Sequence, residues 1–212
     1  MKDINCSNRC SRENGFTIIE LMVATVVFSV ILLLVTYGIL QIGRSYSKGV
    51  TESKTQNVAR AIMDSITQDI QFYKSGTVIG AASGSTYVIC VGNNRYTAFL
   101  GQELTDTLPN HALLYDANLV GGCSTAVPAT LPLPPGSTSV ELLSPHMRVS
   151  AIDVAQVLPL NLQLYTVHVR VAYGEDSVLD NPTGLNASCQ GGSVNQFCAV
   201  SDLKTTIQKR VN

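Results

Sequence analysis

The chain has 212 residues, 14 % of them charged, with a formal net charge of −1 and a mean hydropathy of +0.20. That length fits one apolar anchor and one compact domain. The near-neutral balance excludes a protein whose main task is an electrostatic grip on nucleic acid.

A polar head carrying Lys2, Arg9 and Arg12 leads into Gly15-Phe16-Thr17-Ile18-Ile19-Glu20. From Leu21 to Gly43 there is neither a charge nor a proline. As a helix rising ~1.5 Å per residue, that run is roughly 30–35 Å long, enough to cross a bilayer. Glu20 stands at its start, where a carboxylate is costly in lipid and so marks function. Ala24, Thr25 and Ser29 lie on nearby turns, and such small residues let helices approach closely in a membrane. Two plainer readings compete. A secretory signal peptide has a shorter apolar core and a small-x-small cut site, which the segment around Tyr37-Gly38-Ile39-Leu40 lacks. An ordinary membrane anchor needs only the apolar run.

The run G-F-T-I-I-E-L-M-V-A behind a short basic head resembles the class III leader of type IV prepilins and pseudopilins. The resemblance covers residues 12–44. It implies that a prepilin peptidase cuts after Gly15 and methylates the new amine of Phe16, and that Glu20 helps to register subunits in a filament. Basic residues are balanced across the run, Lys2, Arg9 and Arg12 against Arg44, Lys48 and Lys54. Charge alone therefore sets no orientation; the resemblance and the cysteine usage place residues 1–15 inside the cell and the globular domain outside. Residues 1–15 carry three basic and two acidic side chains, a net +1, so the remainder of the −1 chain carries −2.

Beyond Gly49 the spacing becomes amphipathic. Val58, Ile62, Ile66, Ile70 and Tyr73 recur at three- and four-residue steps, with Arg60, Asp64, Gln68 and Gln71 on the other side. The spacing predicts one helix over about 17–74, ending at Lys74-Ser75-Gly76, with the stripe lying against a sheet. From Thr77 the texture is that of strands. Thr86–Val91 and Arg95–Leu100 flank a Gly92-Asn93-Asn94 turn and predict a hairpin. Ala112–Tyr115, Val140–Leu143 and Met147–Val154 predict further strands, and Leu162–Tyr173 alternates with period two. Residues 121–138, with Pro128, Pro132, Pro134 and Pro135, and residues 174–196, with Pro182 and the Gly191-Gly192 pair, predict loops. Ala199–Ile207 suits a last strand. A long loop before a last strand and the Thr-Thr-Ile-Gln-Lys-Arg-Val ending look like those of the J-type (W-type) minor pilins.

Of six cysteines, Cys6 and Cys10 lie in the head. Their C-x-x-x-C spacing is read as part of a disposable tail rather than as a metal or lipid site. The other four, Cys90, Cys123, Cys189 and Cys198, are an even count in an exported domain and read as disulfides. Three connectivities are open, and sequence proximity favours Cys189 with Cys198 and Cys90 with Cys123. Free buried thiols are the alternative. No phosphate loop, zinc-protease or nucleophile-elbow motif occurs. His111, His146 and His168 fall on separate predicted strands or strand edges, with His168 on a solvent-facing side. Asp176, Asp180, Asn181 and Asn186 cluster in residues 176–186 and could hold calcium, but match no calcium-loop spacing and read first as a solvated turn.

These readings converge on an α+β pilin fold and a protein that is no enzyme. The expected division is a leader at 1–15, a transmembrane helix at 16–43, its amphipathic continuation at 44–75 and a β-rich extracytoplasmic head at 76–212. The expected role is that of a minor pilin-like subunit, taken from the cytoplasmic membrane into or onto the tip of a type IV pilus. Its partners would be prepilin peptidase, other pilin subunits and membrane lipid, with no cofactor. A J-type secretion pseudopilin and a tip adhesin or DNA receptor are the alternatives. Lys204, Lys209 and Arg210 are a weak basic patch for the last of these, and nucleic acid is not expected as a partner.

Overall fold

The computed structural model describes residues 15–73, 78–105, 111–119, 122–126, 139–157 and 163–210. It falls into two units, Met1–Gly43 and Arg44–Asn212. One helix, α1 (Ile18–Phe72), runs through both. The predicted stop at Lys74-Ser75-Gly76 and the proline-rich stretch 127–138 lie outside the described residues.

In the first unit α1 is apolar all round. Its most apolar window has a mean hydropathy of 2.8, and none of that window is buried within the chain. Ile18, Leu34 and Ile42 are 80 %, 68 % and 71 % exposed, although at about 3.6 residues per turn they point in different directions around the helix. The hydroxyls of this segment turn inward on their own backbone: Thr25 donates to Met22 O at 2.9 Å, Ser29 to Thr25 O at 2.7 Å and Thr36 to Leu32 O at 2.8 Å. A helix that satisfies its Thr and Ser hydroxyls internally and turns its apolar side chains outward is the form that hydrocarbon accepts.

In the second unit the same helix becomes one-sided. Thr55, Ala59, Ile62, Met63, Ile66 and Ile70 are buried, at the three- and four-residue steps of one face. They share a core with Ile89, Tyr96, Val149, Val167 and Val169 of the sheets. The stripe read from the sequence is thus turned by a fraction of a turn. Ile62, Ile66 and Ile70 are central, but Val58 and Tyr73 are only half-buried, and Ala59 and Met63 occupy the middle. The small Ala59 lets the helix approach closely there, a geometric gain that a hydrophobicity pattern ranks below valine.

Five strands follow as an antiparallel meander: β1 (Val78–Ser83), β2 (Thr86–Val91), β3 (Asn94–Phe99), β4 (Leu113–Asp116) and β5 (Val140–Glu141). A second sheet has the order β10-β7-β6, from β6 (Met147–Gln156), β7 (Leu164–Tyr173) and β10 (Ala199–Gln208). A two-stranded pair, β8 (Leu179–Asp180) and β9 (Ser188–Cys189), precedes a 3₁₀ helix, Gly192–Phe197. The expected 174–196 loop is therefore partly ordered structure, and the expected Val140–Leu143 strand pairs over only two residues. Strand β1 was not foreseen, because Val-Ile-Gly-Ala-Ala-Ser lacks alternation. It forms because β2 offers a partner, in register from Val78 with Val91 to Ser83 with Thr86.

The β2–β3 turn is Gly92-Asn93, and Gly92 has a φ of +61°. Only glycine fits, because a Cβ there would lie 1.7 Å from the Tyr73 ring. The two sheets meet at β1, β2 and β6. Tyr87 Oη donates to Asp153 Oδ1 at 2.6 Å and accepts from Val154 N–H at 3.4 Å. Gly80 leaves room for this contact, since a Cβ would stand 2.2 Å from Tyr87 Oη and 3.0 Å from Val154 O.

Truncating the helix–sheet contact separates the roles of the two helix segments. Ile66→Ala is expected to cost about 2–5 kcal/mol by leaving a cavity. Ile31→Ala, exposed in the other unit, leaves the unfolding midpoint unchanged. Denaturant unfolding of the detergent-solubilised chain, followed by tyrosine circular dichroism, measures both.

Candidate processing site and the polar chemistry of the head

The helix begins at Ile18, so Thr17 is its N-cap and Glu20 its third residue. Thr17 N–H donates to Glu20 Oε2 at 2.9 Å, Thr17 Oγ1–H donates to the same oxygen at 2.9 Å, and Glu20 N–H donates to Thr17 Oγ1 at 3.3 Å. This is a capping box, Thr-x-x-Glu, which satisfies two donors that a helix start otherwise leaves orphaned. The sequence reading missed this role for Glu20, though the spacing was in plain view. Gly15 and Phe16 stand just ahead of it, outside the helix and exposed. A Cβ on Gly15 would meet nothing within 4 Å. Among the described residues nothing crowds Gly15 or Phe16, and the capped helix start follows one residue later.

Two disulfides join Cys90 to Cys123 and Cys189 to Cys198. They close loops of 33 and 9 residues, worth about 4 and 2.5 kcal/mol on chain-entropy grounds. The first ties β2 to the segment after β4, and the second ties β9 to the start of β10.

The histidines do not converge. His111 Nδ1 lies 3.5 Å from Glu141 Oε2, His146 Nδ1 3.1 Å from Glu103 Oε1 and His168 Nε2 2.7 Å from Asp202 Oδ1. His168 is thus engaged across the β7–β10 pair rather than simply solvated. Among the described residues no three His, Cys, Asp or Glu side chains gather as metal ligands would.

The 176–186 segment is instead organised by Arg148, which the sequence reading passed over as one position of an alternating strand. Met147, Arg148, Val149 and Ser150 are all buried, because the helix covers one side of β6 and the chain after β7 covers the other. The Arg148 guanidinium, 1 % exposed, donates to Glu103 Oε2 at 2.8 Å, Asp176 Oδ1 at 2.6 Å, Gly174 O at 3.0 Å and Pro182 O at 3.2 Å. Asp176 is therefore an anion already matched by a cation. A planar fork of donors serves such a set, and a single ammonium does not. Arg148→Met is expected to destabilise the chain by about 3 kcal/mol or more by leaving Glu103 and the carbonyls unmatched, and Arg148→Lys to recover only part. Thermal unfolding of the three proteins measures this.

The helix is latched to the meander by polar groups as well. Asp69 Oδ2 accepts from Tyr96 Oη at 2.7 Å and from Asn94 Nδ2 at 3.0 Å. Burial pushes the Tyr96 and Tyr115 phenols up, and Asp69 adds to both shifts. Tyr87 is pushed up to about 12, first by burial and then by its hydrogen bond to Asp153. A phenol whose affinity for its proton is higher folded than unfolded stabilises the fold fully below its ordinary value near 10. That contribution fades as pH rises from about 10 to about 12. Ultraviolet titration of the native chain should show a phenol ionising near 12 that disappears in Tyr87→Phe.

Residues 10–36 match the family model described as the prokaryotic N-terminal methylation motif. No curated protein and no solved structure matches the chain. The matched stretch contains Gly15, Phe16 and Glu20 and ends inside the exposed apolar part of α1. The match supports a class III leader, and with a membrane-length helix behind it and an antiparallel head with two disulfides the chain is similar to type IV pilins and pseudopilins.

Proposed function

We propose that the chain is a minor pilin-like structural subunit, cut by prepilin peptidase between Gly15 and Phe16, methylated at the Phe16 amine and assembled into or at the tip of a type IV pilus. The methylation motif at residues 10–36, set on a helix segment whose apolar side chains are exposed among the described residues, carries this reading. The division that goes with it is leader 1–15, membrane helix 16–43, amphipathic helix 44–75 and head 76–212. The subunit waits in the cytoplasmic membrane with the head outside and leaves it for the filament.

The physical logic starts from α1. Lipid tails are as apolar as leucine, so moving this helix from lipid to neighbouring helices gains little from burial alone. Packing and polar pairing decide the exchange. Ala24, Thr25 and Ser29 give neighbours close approach, and their hydroxyls are already satisfied, so nothing polar is stranded. Glu20 supplies the polar pairing. Thr17 uses only Oε2, so Oε1 is available to the Phe16 amine of the same or an adjacent subunit once the leader is gone. In a low dielectric such a pair holds only when both charges stay matched, and that condition fixes the axial stagger.

The capping box separates this role from simple helix starting. Glu20→Gln keeps an amide oxygen for Thr17 and so preserves the cap, but removes the charge. Glu20→Gln is therefore expected to be cleaved normally yet reach sheared surface filaments at roughly a tenth of the native level or less, for a lost charge pair of ~1.4 kcal/mol or more. Native-level incorporation would discard the registration role. For the cleavage site, Gly15→Leu is expected to migrate at the full-length size. Mass spectrometry of the native chain should find Phe16 as a methylated N-terminus.

A further inference from the structure

A cleft of about 300 Å³ opens in the second unit, lined in part by His146, Tyr173, Glu175, Val178 and Phe197. It takes no part in the leader chemistry. Phe197 is 55 % exposed, a large aromatic ring that the fold leaves uncovered. His146 sits in the left-handed region, with a φ of +63°, a conformation that costs a residue with a Cβ about 1–2 kcal/mol. Two backbone bonds hold it there, from His146 N–H to Leu104 O at 2.9 Å and from Gly174 N–H to His146 O at 3.0 Å.

The imidazole is oriented too. Its Nδ1 lies 3.1 Å from Glu103 Oε1, while the other oxygen of that carboxylate takes Arg148. A carboxylate only accepts, so Nδ1 carries the proton and Nε2 of the neutral ring keeps a lone pair. Among the described residues neither Nε2 nor the Glu175 carboxylate has a hydrogen-bond partner. Lys54 Nζ lies over the Tyr173 ring, 5.8 Å from its centre. Glu103, Asp176 and Glu175 against Arg148 and Lys54 leave one negative charge unmatched.

An unmatched carboxylate, an imidazole lone pair and aromatic faces all favour a cation. The apolar walls formed by Val178, Tyr173 and Phe197 favour an alkyl stem behind it. The volume sits at the bottom of the ~300–1,000 Å³ range of ligand pockets, which suits one side chain rather than a cofactor. We propose that the cleft is a socket for a lysine or arginine side chain presented by a partner polypeptide. Lys54 shows that the Tyr173 ring accepts a cation.

The three histidines, His111, His146 and His168, make the test direct. Imidazole nitrogen resonances are followed in the full-length protein in dodecyl maltoside, slightly above neutral pH, as Nα-acetyl-arginine amide is added. The His146 resonance should move to saturation while those of His111 and His168 stay in place, which also reports an intact fold. Glu175→Gln and Phe197→Ala should each raise the half-saturating concentration about tenfold, the effect of ~1.4 kcal/mol. The proposal is overturned by an unmoved His146 resonance or by an unchanged response in Glu175→Gln. It is equally overturned by n-butanol acting as well as the arginine probe, which would mean a mere apolar crevice. Phosphoethanolamine saturating at lower concentration would overturn it in favour of a lipid headgroup.

Discussion

A helix in a single solvent needs one pattern, and α1 carries two. Through its first unit the side chains are apolar in every direction and none of the most apolar window is buried. Through the second, one face closes a core with two sheets and the other stays polar. At about 25 cal/mol per Å² of apolar surface, leaving the first segment in water is costly. Lipid or sister helices remove that cost. In the proposed function, the exposed Gly15–Phe16 junction, the capped start at Thr17 and the Glu20 carboxylate bear on which of these surrounds the helix.

The head answers a different problem. Two small sheets, a helix face and long connections bury many polar groups, and each must find a partner. Arg148 settles several at once by reaching two carboxylates and the carbonyls of Gly174 and Pro182. Glu141 does the same for a strand end, accepting from the N–H groups of Ala112, Leu113 and Leu143. Asp69 ties the helix to β3 through Tyr96 and Asn94. These charges contribute less by attraction than by the cost of leaving any of their partners unmatched. The disulfides act on the unfolded chain instead, restricting the segment after β4 and the short strand β9.

The cleft around His146 lies close to this machinery. Glu103 serves both Arg148 and His146, so the residue that satisfies a buried cation also aims an imidazole. A strained backbone and an exposed phenylalanine beside it depart from the local economy of the rest of the head. Such departures concentrate where a protein meets something else.

What the sequence determined by itself is whatever depends on neighbours along the chain. The apolar run and its length, the near-full extent of α1, the alternation of β7 and the Gly92-Asn93 turn all follow from local spacing, and each was legible. The capping box was equally local and was overlooked only because Glu20 invited a membrane explanation. Tertiary structure alone decided the rest. Ala59 is central because of how closely the helix can approach the sheets, not because of its hydrophobicity. Strand β1 exists because β2 pairs with it. Arg148 is buried because chain more than twenty residues downstream folds over β6, and Asp176 is matched for the same reason. Periodicity records which face of an element is apolar, but a partner distant in sequence decides what that face, and the face behind it, will touch.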